Sequence, residues 1–535
     1  MKLLTALLAL LLLLPASLAQ AGSYPVVDTG QQACFNNSRQ IHCPDKGDDF
    51  YGQDAQYKGN QPRYKDNGDG TVSDLVTGLM WVKARGPQLS WQAAMDGARD
   101  CRVGGYDDWR APTIKELYSL IDFNGWVQTS ESSSTPFINT EYFDFKFGDT
   151  SKGSRIIDCQ DWSSTTYVCT TMGGNPTAFG VNFADGRIKG YGKNHRRAQD
   201  NKYIRYVRGN PDYGKNIFVE RKDGTVEDKA TGLIWQQADS GKKLNWEEAL
   251  AYCENLSLAG RSDWRLPNVK ELQSIVDYTR SPATTDSAAI DPVFKVTDKE
   301  SYYYSSTTHM DGPKPSHASY VAFGRAMGYF APPRSSNRKW MDVHGAGAQR
   351  SDPKSGNPDA YPNGRGPQGD DIRIYNYVRC VSAGAAEPYD PPYVKIPAWK
   401  GGNPGSSGSG MMRQGGMQGQ GMDQNFGGMR NQRMNSGQDM PGMGQGAGMI
   451  MQPPAGQESM GQGAMGRGPG NMQGPPEEAF AACEGLSQGD DCTVETPRGT
   501  LEGTCQSRNE RTFCVPKGHG PGGMGGRQGH MGPPQ

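Results

Sequence analysis

Apolar positions in residues 64–123 change period in a fixed order, and the same order returns in residues 219–278. Each stretch opens on a short alternating run, TVSDLVTGLMW in the first and TVEDKATGLIW in the second. The turn pairs Asn67-Gly68, Asp69-Gly70, Thr77-Gly78 and Thr231-Gly232 punctuate it, which predicts an entrance β-hairpin with strands beginning near Val72 and Val226. Helical spacing follows. Ser90 and Asn245 are N-cap candidates, and Asn245 with Glu248 has capping-box spacing. Thr113 with Glu116 and Asn268 with Glu271 repeat that cap after Pro112 and Pro267, ahead of an inward stripe of Leu117, Leu120 and Ile121 or Leu272, Ile275 and Val276. Strand-like segments rich in Gly and aromatics come last: WSSTTYV, AFGVNF, RIKGYG and YIRYVRG, then YYYSSTTH, SYVAFGRAMGYF and RIYNYVRCV. Helices first and strands afterwards predict an α+β module with an antiparallel sheet, its final YVR strand closing beside the hairpin.

The pattern is a duplication. Trp91 to Trp109 and Trp246 to Trp264 are both 18 residues apart, WSSTT at 162–166 answers YSSTT at 304–308, and Tyr206-Val207-Arg208 answers Tyr377-Val378-Arg379. Two tandem modules follow, 61–210 and 211–383, each the right size for a core of its own lined by Trp81, Trp91 and Trp109 or by Trp235, Trp246 and Trp264. A lead-in occupies 22–60. Residues 1–21 carry Lys2, an apolar run and Ala19-Gln20-Ala21, and read as a cleaved signal peptide that sends the chain to the periplasm or out of the cell. No later stretch is apolar enough to anchor it in a membrane.

Composition changes the picture at one place. Net charge is −1 and mean hydropathy −0.72, so global charge suggests neither nucleic acid nor membrane as a partner. Residues 384–476, above all from Lys400 onward, turn to Gly, Gln, Met, Asn and Pro, too apolar-poor to offset chain entropy, and read as a disordered linker. Residues 477–516 hold Cys483, Cys492, Cys505 and Cys514, a small domain stapled by two bridges with three pairings open; 517–535 is a disordered tail. In the oxidising compartment other disulfides are expected. Cys34 and Cys43 staple the lead-in. Cys253, in the first helix of the second copy, and Cys380, in its last strand, are both missing from the first copy, where Ala98 and Gly209 are assigned to their places; joint absence points to a bridge. Of the remaining three, Cys159–Cys169 is the expected pair, with Cys101 facing inward from its helix.

DNGDGTV.D..TGLMW, the helical W..A, G..DWR.P..KEL.S..D and WSSTT followed by YVR together resemble the C-terminal domain family of the Legionella collagen-like adhesin. The resemblance covers about residues 60–210 and 215–382. It implies a C-type-lectin-like layout, which the Cys253–Cys380 bridge fits, and ligand binding at a cell surface; the adhesin that gives the family its name binds sulfated glycosaminoglycans. The present chain differs in having two modules and no Gly-X-Y repeat.

The candidate ligand for these modules is an anionic glycan. Arg187, Lys189, Lys193, Arg196, Arg197 and Arg205 form a basic run with His195, Lys202 and Arg208, suited to sulfate or carboxylate. The second copy offers Arg325, Arg338 and His344, with Arg334, Lys339 and the long insertion WMDVHGAGAQRSDPK. Other chemistry is weaker. Asp66, Asn67, Asp69 and Asp74 resemble a calcium loop, but the ligand spacing fails and a turn is the better reading. Asp342 and His344 are two ligands, too few for a metal site. The Asp-Trp-Arg triplets at 108–110 and 263–265 predict an Asp–Arg pair fixing the loop between helices. Ser163, Ser164, Ser305 and Ser306 have no shared His/Asp partner, since His309 in one copy answers Tyr167 in the other. The expectation is a binding protein with no catalysis and no cofactor. The alternative is soft-metal handling by the tail, where 13 of 22 methionines lie between Met411 and Met472.

Overall fold

The computed structural model describes residues 23–194, 201–331 and 337–400, and much of 479–516. The expected signal peptide, the Met-rich segment and the last residues of the chain lie outside the described residues, as do His195, Arg196, Arg197 and Arg334.

In the lead-in, β1 (Cys34–Phe35) and β2 (Gln40–Ile41) pair under a Cys34–Cys43 disulfide, and β3 (Tyr57–Lys58) follows. The first copy carries β4 (Tyr64–Asp66), β5 (Thr71–Asp74), β6 (Leu79–Val82), helices α1 (Trp91–Asp96) and α2 (Ile114–Ser119), then β7 (Asp161–Thr171), β8 (Asn175–Asn182), β9 (Arg187–Gly192) and β10 (Val207–Gly209). The second repeats the order: β11 (Phe218–Glu220), β12 (Thr225–Asp228), β13 (Leu233–Gln236), α3 (Trp246–Glu254), α4 (Val269–Ser274), β14 (Tyr302–His309) and β15 (His317–Ala322). An inserted hairpin, β16 (Met327–Phe330) with β17 (Lys339–Asp342), precedes β18 (Gln349–Pro353) and β19 (Val381–Ala383); β20 (Glu387–Pro388) pairs back onto β3. The architecture is strand-rich, antiparallel and sparing of helix.

Local chemistry explains the short helices. Thr113 and Asn268 accept from the backbone N–H of Glu116 and Glu271, whose carboxylates bond back to the cap residues, completing both capping boxes. The SSTT segments lock those caps to the sheet: Thr165 Oγ1 accepts from Ile114 N–H at 2.9 Å and Thr307 Oγ1 from Val269 N–H at 3.0 Å. The paired serines donate to strand carbonyls, Ser163 to Phe179 at 2.7 Å and Ser305 to Ser319 at 2.9 Å. Arg110 and Arg265 do not pair with the aspartates of their own triplets. Each forks onto the cap glutamate, Glu116 or Glu271, because that carboxylate is already fixed by the cap. Asp108 instead meets Arg208 at 2.6 Å, and Asp263 meets Arg261 at 2.6 Å.

Each copy closes as expected, β10 beside β6 and β19 beside β13, but in a different register from the one the YVR motif suggested. Val207 faces Trp81 and Val381 faces Trp235. Arg205 therefore answers Arg379, and Tyr206, not Gly209, stands where Cys380 stands. Cys253 and Cys380 form a disulfide. Cys159 and Cys169 do not: both are free, as is Cys101, which sits half-buried just past its helix. Cys159 is buried with its Sγ toward Ile156 O and Asn182, and burial pushes its thiol up to about 12.

The two copies do not enclose separate interiors. Their three-stranded sheets join edge to edge through β9 and β18, giving the order β14-β15-β18-β9-β8-β7. The joining pair, Ile188 opposite Gln349, occupies equivalent positions in the two copies, since each sits across from its own Val181 or Val321. The copies are thus related by a quasi-two-fold axis, as in an isologous dimer. One central core runs across it, with Trp81, Leu117 and Phe179 from the first copy and Trp235, Leu272 and Tyr303 from the second. Smaller cores around Trp162 and Trp246 belong to one copy each.

The C-terminal domain is a three-stranded antiparallel sheet, β21 (Asp491–Thr496), β22 (Gly499–Arg508) and β23 (Arg511–Pro516), stapled by Cys483–Cys505 and Cys492–Cys514.

Candidate functional site

The residues expected to form one basic ligand face separate into two sets. Arg187, Arg205 and His344 are buried and Lys189 is half-buried, each held by partners within the fold. Arg187 lies between Asp185 at 3.2 Å and Asp311 of the second copy at 2.8 Å. Lys189 meets the same Asp185 at 3.3 Å, and burial lowers its ammonium to about 7. His344 Nε2 is 2.9 Å from Asp370, which also holds Arg350. His309 bonds the Asp185 carbonyl at 2.8 Å, and Arg365 reaches both Asp311 and His317. This is an interior charge network sealing the seam between the copies. A strand with basic residues on one face cannot reveal from sequence that another copy's aspartates lie opposite.

Arg205 has a different task, shared with Arg379. Arg205 donates to the carbonyls of Val82, Lys83 and Asp144, and Arg379 to those of Gln236, Gln237 and Lys295. Both guanidiniums tie the final strand to carbonyls elsewhere in their own copy, and both are buried away from any external anion. The acidic turns are equally committed. Asp66 accepts from Gly68 N–H, Asp69 from Thr71, and Asp74 from Val76 and Thr77 N–H, with Gly78 at φ 71° completing the turn. Asp342 accepts from the Tyr167 hydroxyl and Gly345 N–H, both at 2.7 Å, so it does not converge with His344. The metal-like cluster of Cys483, Cys492 and Cys505 is tied up in disulfides.

The second set stays at the surface. Lys193 lies 4.5 Å over the half-buried Trp91 ring, Arg325 pairs with Glu300 at 2.5 Å, and Arg338 donates to Tyr329 O at 3.0 Å. Arg338 leads into the insertion hairpin, where Tyr329 and Trp340 face each other across β16 and β17 with ring centroids 4.5 Å apart. Trp340 is 46% exposed, unlike the buried Trp81, Trp109, Trp235, Trp246 and Trp264. Arg338 and Lys339 are exposed beside it. Trp340 opens the segment WMDVHGAGAQRSDPK that the sequence marks as an insertion, but sequence reading does not single out its ring there, and Gln349–Pro353 of that segment is the shared strand β18.

This geometry defines a fused pair of duplicated strand-rich modules, with an aromatic, cationic hairpin added to one of them. Residues 70–208 and 224–341 each match the Lcl C-terminal domain family, as two tandem copies of that domain would. No curated protein and no solved structure matches the chain. Among the described residues no helix is long and apolar enough to cross a membrane.

Proposed function

We propose that the protein is an exported, adhesin-like binding protein without catalytic activity, C-type-lectin-like in layout, acting in the periplasm or at the cell surface. Its ligand is an anionic glycan, taken by the β16–β17 hairpin. The observation that carries this reading is the exposed Trp340 packed against Tyr329 at a tilt of 48° and flanked by Arg338 and Lys339. An aromatic face packs on the apolar side of a sugar ring, and cations beside it pair with sulfate or carboxylate. The family match and the four disulfides, suited to an oxidising compartment, support it.

The test is retention on immobilised sulfated and unsulfated glycans at two salt concentrations. Salt-sensitive retention on the sulfated set is expected. Trp340→Ala should weaken it roughly tenfold or more, as for an aromatic anchor at the centre of a contact. Retention that ignores sulfation, or survives Trp340→Ala unchanged, removes the reading.

A further inference from the structure

The lead-in touches the first module beside Phe123, Asn124 and Trp126, where Phe123 N–H donates to Thr29 O at 2.8 Å, and leaves its α2 face uncovered. It lies across the second copy, over the surface formed by Arg265, α4 and the SSTT stretch of β14. Asp54 accepts from Thr307 Oγ1, and the Gln31 side-chain amide bonds both backbone groups of Thr308, at 2.8 and 2.9 Å. Tyr57 stacks 5.3 Å from the Arg265 guanidinium, and Lys270 donates to Asp28 O at 2.8 Å. Under this cover β14, Arg265 and α4 are buried throughout; the Arg265 side chain is 4% exposed.

The quasi-two-fold axis generates the same surface in the first copy, from Arg110, α2 and the SSTT stretch of β7. There it is open. Arg110 is 35% exposed, Thr113 is exposed, and Ser164 and Thr165 are half-buried. A groove of about 630 Å³ runs between them and Tyr278 of the second copy, edged at one end by the inter-copy linker, residues 211–217 at the start of the second module. Lys115, the counterpart of Lys270, is already satisfied by linker Gly214 O at 3.0 Å and Asn216 at 2.8 Å, so the linker replaces only the Asp28 end of the cover.

We propose that this groove on the first copy is a docking site for a segment of a partner polypeptide that forms one short 3-10 turn, like Asp54–Gln56, and carries a carboxyl side chain at its start and, three residues later, an aromatic ring. The argument is the lead-in itself. The chain supplies such a segment, Asp54-Ala55-Gln56-Tyr57, to the equivalent surface of the second copy, and the duplicated residues that receive it, a threonine hydroxyl and an arginine fork, are retained in the first. The carboxyl would accept from Thr165 Oγ1, whose counterpart donates to Asp54, and the ring would lie on Arg110. The inference is independent of the glycan reading, which concerns a different hairpin.

The probe is a synthetic peptide of residues 48–60, DDFYGQDAQYKGN, bearing a photoreactive phenylalanine in place of Tyr57 and added to the full chain. Saturable one-to-one binding is expected, with crosslinks on α2 or the 164–165 stretch. In the peptide, Asp54→Ala should weaken binding about tenfold, the loss of one hydrogen bond to a charged group. In the protein, Thr165→Val should do the same, and Thr165→Ser should keep binding because it keeps the hydroxyl. Absence of saturation at millimolar peptide, crosslinks confined to the second copy, or equal affinity for the Asp54→Ala peptide would each overturn the proposal. The peptide variant decides the matter even if Thr165→Val disturbs the fold.

Discussion

The hydroxyl of Tyr206 reaches the carbonyl of Ala94 in α1 at 3.0 Å, spanning the gap that Cys380 closes onto Cys253 in the second copy. One copy ties its last strand to its first helix with a hydrogen bond and a packed ring, the other with a covalent bridge. The bridge closes 127 residues of chain, so the chain-entropy account assigns it roughly 4–5 kcal/mol. Replacing Cys253 and Cys380 together with alanine should lower unfolding free energy by about that amount, read from a denaturant curve. An unchanged midpoint would refute the assignment.

Arg187→Gln should behave as a fold mutation, not a ligand mutation. It leaves buried Asp185 and half-buried Asp311 without their shared guanidinium, with Lys189 and Arg365 left to them, a loss of about 3 kcal/mol. Arg338→Ala, at the exposed hairpin, should leave the melting temperature nearly unchanged and reduce retention on sulfated glycan. The opposite pattern would return the ligand site to the seam.

Lys270 donates to Asp28 O and to Ser119 O at 2.9 Å, and Lys115 returns the contact across the axis to Ser274 O at 2.6 Å. Lys270→Met removes the donor and leaves two buried carbonyls without it. The expected cost is about 2–3 kcal/mol by urea titration, with accelerated amide exchange in the lead-in as the structural readout.

Acid should loosen the seam. Burial first, and then the neighbouring Arg187, lower His309 to about 3, and burial lowers His317 to about 3. In the unfolded chain each histidine takes up a proton near its ordinary value of 6.5. Between those values the unfolded state binds more protons, so stability is full above about pH 6.5 and falls progressively toward pH 3. His309→Gln should flatten this acid limb, measured as urea midpoints from pH 4 to 7.

Asp54 has the opposite sign. Burial, with Asp28 nearby, pushes it up to about 8, whereas it ionises near its ordinary value once unfolded. The folded state keeps the proton longer, so its contribution is full below about pH 4 and is lost as pH rises to about 8. Asp54→Asn should remove that dependence without moving the acid limb set by the histidines. A pH profile identical to the parent's would exclude Asp54 as its source.

Much of the architecture lay in local pattern: the duplication, the entrance hairpins, the two capping boxes, and a helix-to-strand disulfide betrayed by paired absence. These depend on neighbours within a few residues or on comparing one copy with the other. The register of the closing strand escaped by three residues because YVR happens to occur at 206–208 as well as at 377–379, while backbone pairing sets Arg205 against Arg379. The Cys159–Cys169 pairing failed similarly, for proximity along the chain says nothing about which face of a strand each thiol takes.

What the sequence determined by itself was the content of each copy, because propensity, caps and turn chemistry act locally and act twice. What only the tertiary structure decided was how the copies meet: two sheets fused at Ile188 and Gln349, a lead-in laid over the farther module, and the side chains of Arg187, Lys189 and His344 turned inward. Burial is a property of what arrives from elsewhere in the chain. A basic residue on a strand reads the same whether water or a distant aspartate comes to lie opposite.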